Sequence, residues 1–437
     1  MARKKLSQDL YVYMNGIKVG TLTRESTGIL IFTYDREWLN YKKSRPISLA
    51  MPLTEVPYKG YVVDCYFENL LTDSELIRER IQARFNSPSK KSFDLLSSIG
   101  GDCVGALQLL IQNKVSNIKK IEATAIDNHA IAKLLKQYQT APLGMARETD
   151  FRISIAGAQE KTALLWHEDK WCLPHGTTPT SHIIKLPIGN IKHSKIDLSE
   201  SVENEWLCLQ ILSAFNLPVN KAEIIYFEDM KTLVVERFDR QWAKNDSWLM
   251  RLPQEDMCQT LSKPPGLKYE SDGGPGIQDI MKILLGSDQA AQDRQRFLKS
   301  VFLFWILGAP DGHAKNFSLR LKPGGRYQLT PLYDVMSAYP IVAKRQIEWQ
   351  KLKMAMSVKG KNRHYSWDRI QPRHWLSTAE QCQFSTTIMQ EIMDEVFDNI
   401  ENVINKVTEL LPKDFPSHIS EPIFSGMRRV KQRYYPL

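Results

Sequence analysis

Between residues 151 and 236 the chain presents an order of elements that few folds accommodate. Residues 151–155 alternate as a strand, Ala156-Gly-Ala-Gln-Glu160 reads as a turn, and residues 161–166 form a second strand. His167-Glu-Asp-Lys170 turns back, and residues 181–187 supply a third strand. A helix over residues 199–215 follows, with Val202, Trp206, Leu209 and Leu212 at helical spacing. Two further strands, 222–227 and 232–236, complete the set. The remainder is mainly helical: residues 277–285 and 288–307 lead directly into Asp311. A hairpin of 317–321 and 327–332 then turns at Pro323-Gly-Gly325.

The segment before residue 151 has a different character. Residues 10–34 alternate around Asn15-Gly16, a two-residue hairpin signal. A helix is expected to begin near Thr72 or Asp73 with Glu75 in its first turn, and another covers 127–138. Near the C-terminus, Ile388, Val396, Ile400, Val403 and Val407 predict a long amphipathic helix ended by Pro412. At 437 residues the chain is too long for one ordinary core. The expected division is an α+β subdomain over 1–110, a helical connector over 111–150 broken at 141–145, a β-rich unit over 151–240 and a mainly helical unit over 241–437.

Composition narrows the function classes. Hydrophobic content of 43% and ten tryptophans fit a packed globular protein. The longest apolar run, 301–307, is too short to span a bilayer, and no signal peptide is visible, so no membrane role is expected. Six cysteines are scattered without a CxxC pair, which argues against a zinc site and for a cytoplasmic setting. Within the net charge of +9, residues 344–374 carry nine Lys/Arg against Glu348 and Asp368, a local net of +7. Such a stretch meets phosphate backbones or is simply a solvated face, with Trp349, Tyr365, Trp367 and Trp375 packing beneath it.

Several polar residues are placed where phosphoryl transfer would need them. In Asp311-Gly-His-Ala-Lys-Asn316 an asparagine stands five positions after an aspartate, and Asp334 follows the hairpin. In that order the first Asp orients an attacking hydroxyl, while the Asn and second Asp offer oxygen ligands to magnesium on ATP phosphates. Lys185, bordered by Ile183, Ile184 and Leu186, places an ammonium for phosphates in the third strand. Glu205 shares a helix face with Val202 and Leu209 and is the expected carboxylate partner of Lys185. Residues 154–162 contain only Gly157, lack Walker A spacing and join two strands, so they read as a cover over phosphates. His313 sits inside the Asp311 loop rather than before it, and an orienting role at the nucleotide suits it. The D-x-H-x-x-N pattern is shared with phosphoinositide kinases, which keeps a small-molecule or lipid kinase open.

With these residues in view, the chain resembles the HipA family of serine/threonine kinases, toxins of bacterial HipBA toxin–antitoxin modules. The resemblance is nearly full length. It is carried by residues 93–105, Ser154-Ile-Ala-Gly-Ala-Gln-Glu-Lys-Thr162, His182-Ile-Ile-Lys-Leu-Pro187, Val235-Glu-Arg-Phe-Asp239, residues 251–259, Tyr269-Glu-Ser-Asp-Gly-Gly-Pro-Gly276 and the Asp311 loop. It implies an α+β, atypical protein-kinase-like fold of two lobes, one small and β-rich and one larger and mainly helical, beside an N-terminal α+β subdomain. It further implies that ATP phosphates meet Lys185 beneath a cover containing Ser154, Ala156, Gly157 and Ala158. Adenine would be held through the hinge backbone at Glu236 and Phe238. Asp311 would be the base, Asn316 and Asp334 the Mg²⁺ ligands, and Ser154 the site of autophosphorylation. Implied partners are a HipB-like helix-turn-helix antitoxin dimer, operator DNA through that complex, with or without direct basic contacts, and glutamyl-tRNA synthetase as substrate. The competing expectation is a catalytically silent, antitoxin-binding corepressor. One departure stands out: the family commonly has Thr before the catalytic Asp, whereas this chain has Pro310, which lacks a backbone donor.

Overall fold

A computed structural model of the chain describes residues 8–114, 117–140, 159, 161–191, 196–244 and 247–435. The expected strand 151–155, the break at 141–145, and the loop residues Ser154, Ala156, Gly157 and Ala158 lie outside the described residues. Two units divide the chain: 1–186 with 225–266 and 318–327, and 187–224 with 267–317 and 328–437.

In the first unit, Asn15 and Gly16 take φ of 47° and 81°, the left-handed pair that a tight two-residue turn requires. They join Gln8–Met14 to Ile17–Arg24 in a five-stranded sheet. Its order is Tyr58–Lys59, Leu30–Tyr34, Ile17–Arg24, Gln8–Met14, Leu107–Leu110. Alternation puts Leu10, Val12, Leu22 and Phe32 on the buried face, against Val63 and Phe67 of helix Tyr61–Glu68 and Leu95 and Leu96 of helix Ser92–Ile99. Each such side chain stabilises the fold by roughly 1.5–3 kcal/mol through burial. The helix expected from Thr72 begins at Glu75 instead, because Ser74 Oγ accepts the Ile77 N–H at 3.4 Å and caps it.

A second sheet in this unit runs Ala222–Phe227, Met230–Glu236, His182–Lys185, Lys161–His167, Lys170–Pro174, Ala123–Ala125. Helix Asn128–Thr140 lays Ile131, Ala132, Leu134 and Leu135 on Leu164, Ile184, Leu186 and Val234 of this sheet. The described part of the expected connector thus supplies an edge strand, Ala123–Ala125, and a covering helix. The turn read at 167–170 is present, with Glu168 and Asp169 in the left-handed region at φ of 51° and 57°, and it leads into a strand, Lys170–Pro174, that the sequence reading did not name.

Five charged side chains are buried together at the end of strand Met230–Glu236. Asp102 accepts hydrogen bonds from Arg240 Nη2 at 2.8 Å and Arg251 Nε at 3.0 Å, with Arg237 Nη1 at 3.4 Å. Asp239 accepts from Arg237 Nη2 at 2.8 Å and from the Gly105 N–H at 2.6 Å. Burial alone would raise the Asp102 carboxyl, but Arg240, Arg251 and Arg237 outweigh it and hold the group well below the usual carboxylate range.

Another buried acid behaves in the opposite way. Glu255 Oε1 accepts the Leu49 N–H at 2.8 Å, but Oε2 has no hydrogen-bond partner among the described residues. Burial pushes its carboxyl up to about 8, against the Leu49 hydrogen bond that lowers it. The folded protein therefore holds this proton where the unfolded chain, at 4.5, has released it. Stability from this group is fully present below 4.5 and is lost as pH rises towards 8. Glu255→Gln keeps the acceptor and removes the titration. Urea midpoints measured from pH 5 to 9 are expected to fall less steeply for the variant, which gains roughly 3–5 kcal/mol relative to the parent across that window. Parallel curves would refute the assignment.

The second unit is built around helix Ala290–Leu307, whose residues from Phe297 onward are all buried. Phe302 meets Trp375 edge to face at 5.2 Å and Phe397 at 5.6 Å, from helices Pro372–Gln381 and Thr386–Thr408. Trp305 and Trp367 each donate the indole N–H to the other's carbonyl, at 3.4 and 3.0 Å. A final helix, Ser417–Tyr434, was not named in the sequence reading, and it holds Pro422 and Gly426 within it. Gly426 is needed there: a Cβ would stand 2.4 Å from the Tyr339 ring. In the basic stretch, Trp367 and Trp375 are buried in the core, while the half-buried Trp349 stacks on Tyr339 at 5.5 Å.

Candidate functional site

The second unit carries the Asp–Asn–Asp cluster. Helix Ala290–Leu307 ends at Gly308, whose φ of 63° is the left-handed stop that lets the chain leave the helix axis. Ala309 N–H returns to Phe304 O at 2.8 Å, so the final turn is closed before Pro310 and the missing proline donor leaves no gap. At Gly312 a Cβ would stand 2.5 Å from the Phe304 ring. Only glycine lets the loop lie that close, and this contact seats Asp311 on the buried helix.

Beyond it, His313 N–H bonds Asp311 O at 2.8 Å and Asn316 N–H bonds His313 O at 2.9 Å, winding the loop into the short 3-10 turn Ala314–Asn316. Asn316 is buried, and its Nδ2 donates to Asp311 O at 2.7 Å and Asp334 O at 3.3 Å. One side-chain amide therefore ties together the two segments that bear the acids, and its nitrogen is committed to them, which turns its oxygen the other way. Asp334 adopts φ of 61°, a conformation aspartate tolerates better than most residues. Tyr333 O–H reaches Lys315 O at 2.8 Å and fixes the same pair of segments again.

The Asp334 segment is also clamped from helix Ser201–Ala214. Asn204 Nδ2 donates to Ser337 O and Asn204 Oδ1 accepts the Ser337 N–H, both at 2.8 Å. Ser337 Oγ donates to Leu307 O at 2.6 Å. Glu205, the neighbour of Asn204, is 2% exposed, which for a carboxylate demands a partner. His313 is also buried. Burial lowers its imidazole from the usual value, against Asp311 which raises it, and its Nδ1 has no partner among the described residues.

The first unit holds the remaining candidates. Lys185 is buried on strand His182–Lys185, opposite Leu233 on one side and Lys161 on the other. Two lysines face each other across neighbouring strands, so both cations stand on one side of the sheet, away from the face that buries Ile184. Gln159 Nε2 donates to Leu186 O at 2.5 Å and pins the described end of the loop before Lys161. At the hinge, Glu236 is paired with His182, and Phe238 O accepts from Arg320 Nη2 at 2.7 Å. Arg237 between them is held by the buried aspartates.

The structure thus brings Asp311, His313, Asn316 and Asp334 together in one unit, with Glu205 in that same unit, and places Lys185, Glu236 and Phe238 in the other. The pairing of Lys185 with Glu205 crosses the two and stays a proposal. Lys161, Asn204, Tyr269 and Ser337 were not singled out in the sequence. Lys161 left a signal there as a second lysine at a strand end after the loop, and Tyr269 opens one of the strings that carry the resemblance, but neither was given a role.

Comparison with known proteins places these features in a family. Residues 10–110 match the profile described as the HipA N-terminal domain, and residues 153–404 match the HipA-like C-terminal domain. A Sinorhizobium fredii protein, Y4mE, whose kinase designation is provisional, is 29% identical over 407 residues, 92% of each chain. The serine/threonine-protein kinase toxin HipA of Shewanella oneidensis is 25% identical over 341 residues, 75% of each. Among solved structures, the HipA of Shewanella oneidensis MR-1 in complex with HipB and operator DNA superposes with a TM-score of 0.80 at 20% identity, over 97% of each chain.

Proposed function

The chain belongs to the HipA family of serine/threonine kinase toxins and has its α+β, kinase-like fold; from that premise we propose that it is itself an ATP-dependent protein serine/threonine kinase and the toxin of a toxin–antitoxin module. The observation that carries the reading is Asn316, whose amide binds the carbonyls of both Asp311 and Asp334 and so gathers a base and two oxygen ligands at one place. Asp311 accepts the proton of a serine or threonine hydroxyl. As it does so, that oxygen bonds to the γ-phosphorus and the bond from phosphorus to the bridging oxygen of ADP breaks. Asn316 and Asp334 offer oxygen donors, the set that suits Mg²⁺, and would hold it. When bound, the ion neutralises charge on the phosphates. Lys185, steadied by Glu205, and Lys161 beside it bind phosphate, with Ser154, Ala156, Gly157 and Ala158 as the cover and His313 as an orienting residue. The backbone at Glu236 and Phe238 takes adenine.

Ser154 is proposed as the autophosphorylation site, because about two negative charges in the phosphate cover would repel ATP. A HipB-like antitoxin dimer and operator DNA are the proposed partners, supported by the Shewanella complex, with the chain as corepressor; glutamyl-tRNA synthetase is the proposed substrate. A cytoplasmic setting suits these partners, and no helix among the described residues is long and apolar enough to cross a membrane. The test is incubation with γ-labelled ATP, Mg²⁺ and a bacterial lysate. Label is expected on the synthetase and, by mass spectrometry, on the Ser154 peptide. Nucleotide binding without transfer of label to any protein would favour the silent corepressor.

A further inference from the structure

Tyr269 stands outside the Asp–Asn–Asp pattern, yet its phenolic hydroxyl donates a hydrogen bond to Asp311 Oδ1. His313 Nε2 lies 3.7 Å from the same oxygen, and the two rings meet edge to face with centroids 5.1 Å apart at 85°. Both groups therefore gather on one oxygen of the carboxylate. The Asp311 side chain is nonetheless 46% exposed, which leaves room for an acceptor hydroxyl at Oδ2.

Tyr269 is itself firmly placed. Its carbonyl accepts the N–H groups of Asp272 at 3.1 Å and Gly274 at 2.9 Å, and the preceding carbonyl, Lys268 O, accepts Ala314 N–H from the Asp311 loop at 3.2 Å. Next to it, the buried Glu270 carboxylate receives Ser357 N–H at 2.5 Å and Ser357 O–H at 2.9 Å. Gly276 packs so closely on that carboxylate that a Cβ would stand 2.6 Å from it. A carboxylate held only by its own backbone rotates about its last bond. A donor fixed to the protein stops that rotation, and a bond to a charged acceptor is about twice as strong as one between neutral groups.

Resting on the reading of Asp311 as the base, we propose that Tyr269 is a positioning residue, which grips Asp311 by Oδ1 and so aims Oδ2 at the acceptor hydroxyl. Tyr269 acts through Asp311 and does not itself touch substrate. Removing the hydroxyl then slows the chemical step without weakening nucleotide binding.

The test uses the full-length protein with labelled ATP and casein as a generic acceptor. Tyr269→Phe is expected to lower kcat by about tenfold, with KM for ATP within about twofold and the melting temperature unchanged. Site-specific 3-fluorotyrosine at 269, which keeps the donor, is expected to restore kcat. Three results overturn the proposal: an unchanged kcat in Tyr269→Phe, a loss matched by poorer nucleotide binding or melting, or faster transfer, which would make the hydroxyl an obstruction at the acceptor site. Asp311→Asn run alongside separates the two readings. If it is inactive while Tyr269→Phe is normal, only the positioning role fails. If Asp311→Asn transfers phosphate normally, or the parent transfers none, the base assignment fails and the positioning role with it.

Discussion

Asp311→Asn is expected to lower phosphate transfer by about a hundred- to ten-thousandfold, the range a positioned general base contributes. The substitution preserves shape and leaves an oxygen to accept from Tyr269, but removes the capacity to take a proton. Its effect on folding should be small, because the Asp311 side chain is 46% exposed and Asn316 binds the Asp311 carbonyl, not its carboxylate. Label transfer from ATP and a thermal melt, run on the same preparation, separate loss of chemistry from loss of structure. A variant that transfers phosphate at the parent's rate would remove Asp311 from the role of base. Relief of growth arrest when the variant is expressed without an antitoxin is the matching expectation in cells.

How far this site could be read from sequence depends on which physical signal each residue leaves. That Asp311, Asn316 and Asp334 lie together was legible because the chemistry proposed for them restricts residue type and spacing at once. The hairpin at Asn15-Gly16 was legible because two consecutive left-handed residues nearly demand that dipeptide. The contact of Tyr269 was not, since it comes from a loop more than forty residues upstream that folds back to the Asp311 carboxylate. Asn204 was hidden behind its neighbour Glu205, and its two bonds to Ser337 are contacts that periodicity never reports. Helix Ser417–Tyr434 was obscured by local rules that tertiary packing overrides: Gly426 breaks a helix in isolation but here admits the Tyr339 ring. In the basic stretch two of the four aromatics expected to pack beneath it, Trp367 and Trp375, are buried, and its charges were read incompletely. Lys344 lies 3.3 Å from Glu200 and Arg363 3.6 Å from Glu270, so part of its apparent charge is neutralised within the fold.

The largest effect on stability is expected at Asp102, a residue given no part in the proposed chemistry. Three arginines share two aspartates there, and each of these side chains is at most 7% exposed. Asp102→Ala would leave Arg237 and Arg240 with Asp239 alone, would take from Arg251 the carboxylate it bonds, and would also strip the acceptor from Thr180 N–H and O–H, at 3.1 and 2.7 Å. Breaking a single buried pair costs about 3–5 kcal/mol, and here three guanidiniums lose a partner together. The expected result is a large fall in the guanidinium chloride midpoint or failure to accumulate folded protein, with Asp102→Asn intermediate because it keeps an acceptor but not the charge. Because the Asp102 carboxyl is held well below its ordinary 3.8, its contribution is present above that value and is lost only as pH falls through the depressed one. Wild-type stability from this group should therefore persist through mild acid. The link to function runs through Arg237, which lies between Glu236 and Phe238 and is gripped by both aspartates. If that grip sets the backbone proposed to receive adenine, Asp102→Asn should weaken ATP binding under conditions where the variant remains folded. An unchanged denaturation midpoint in Asp102→Ala would show that the network is not what anchors this strand, and unchanged ATP affinity in a folded Asp102→Asn would confine its role to stability.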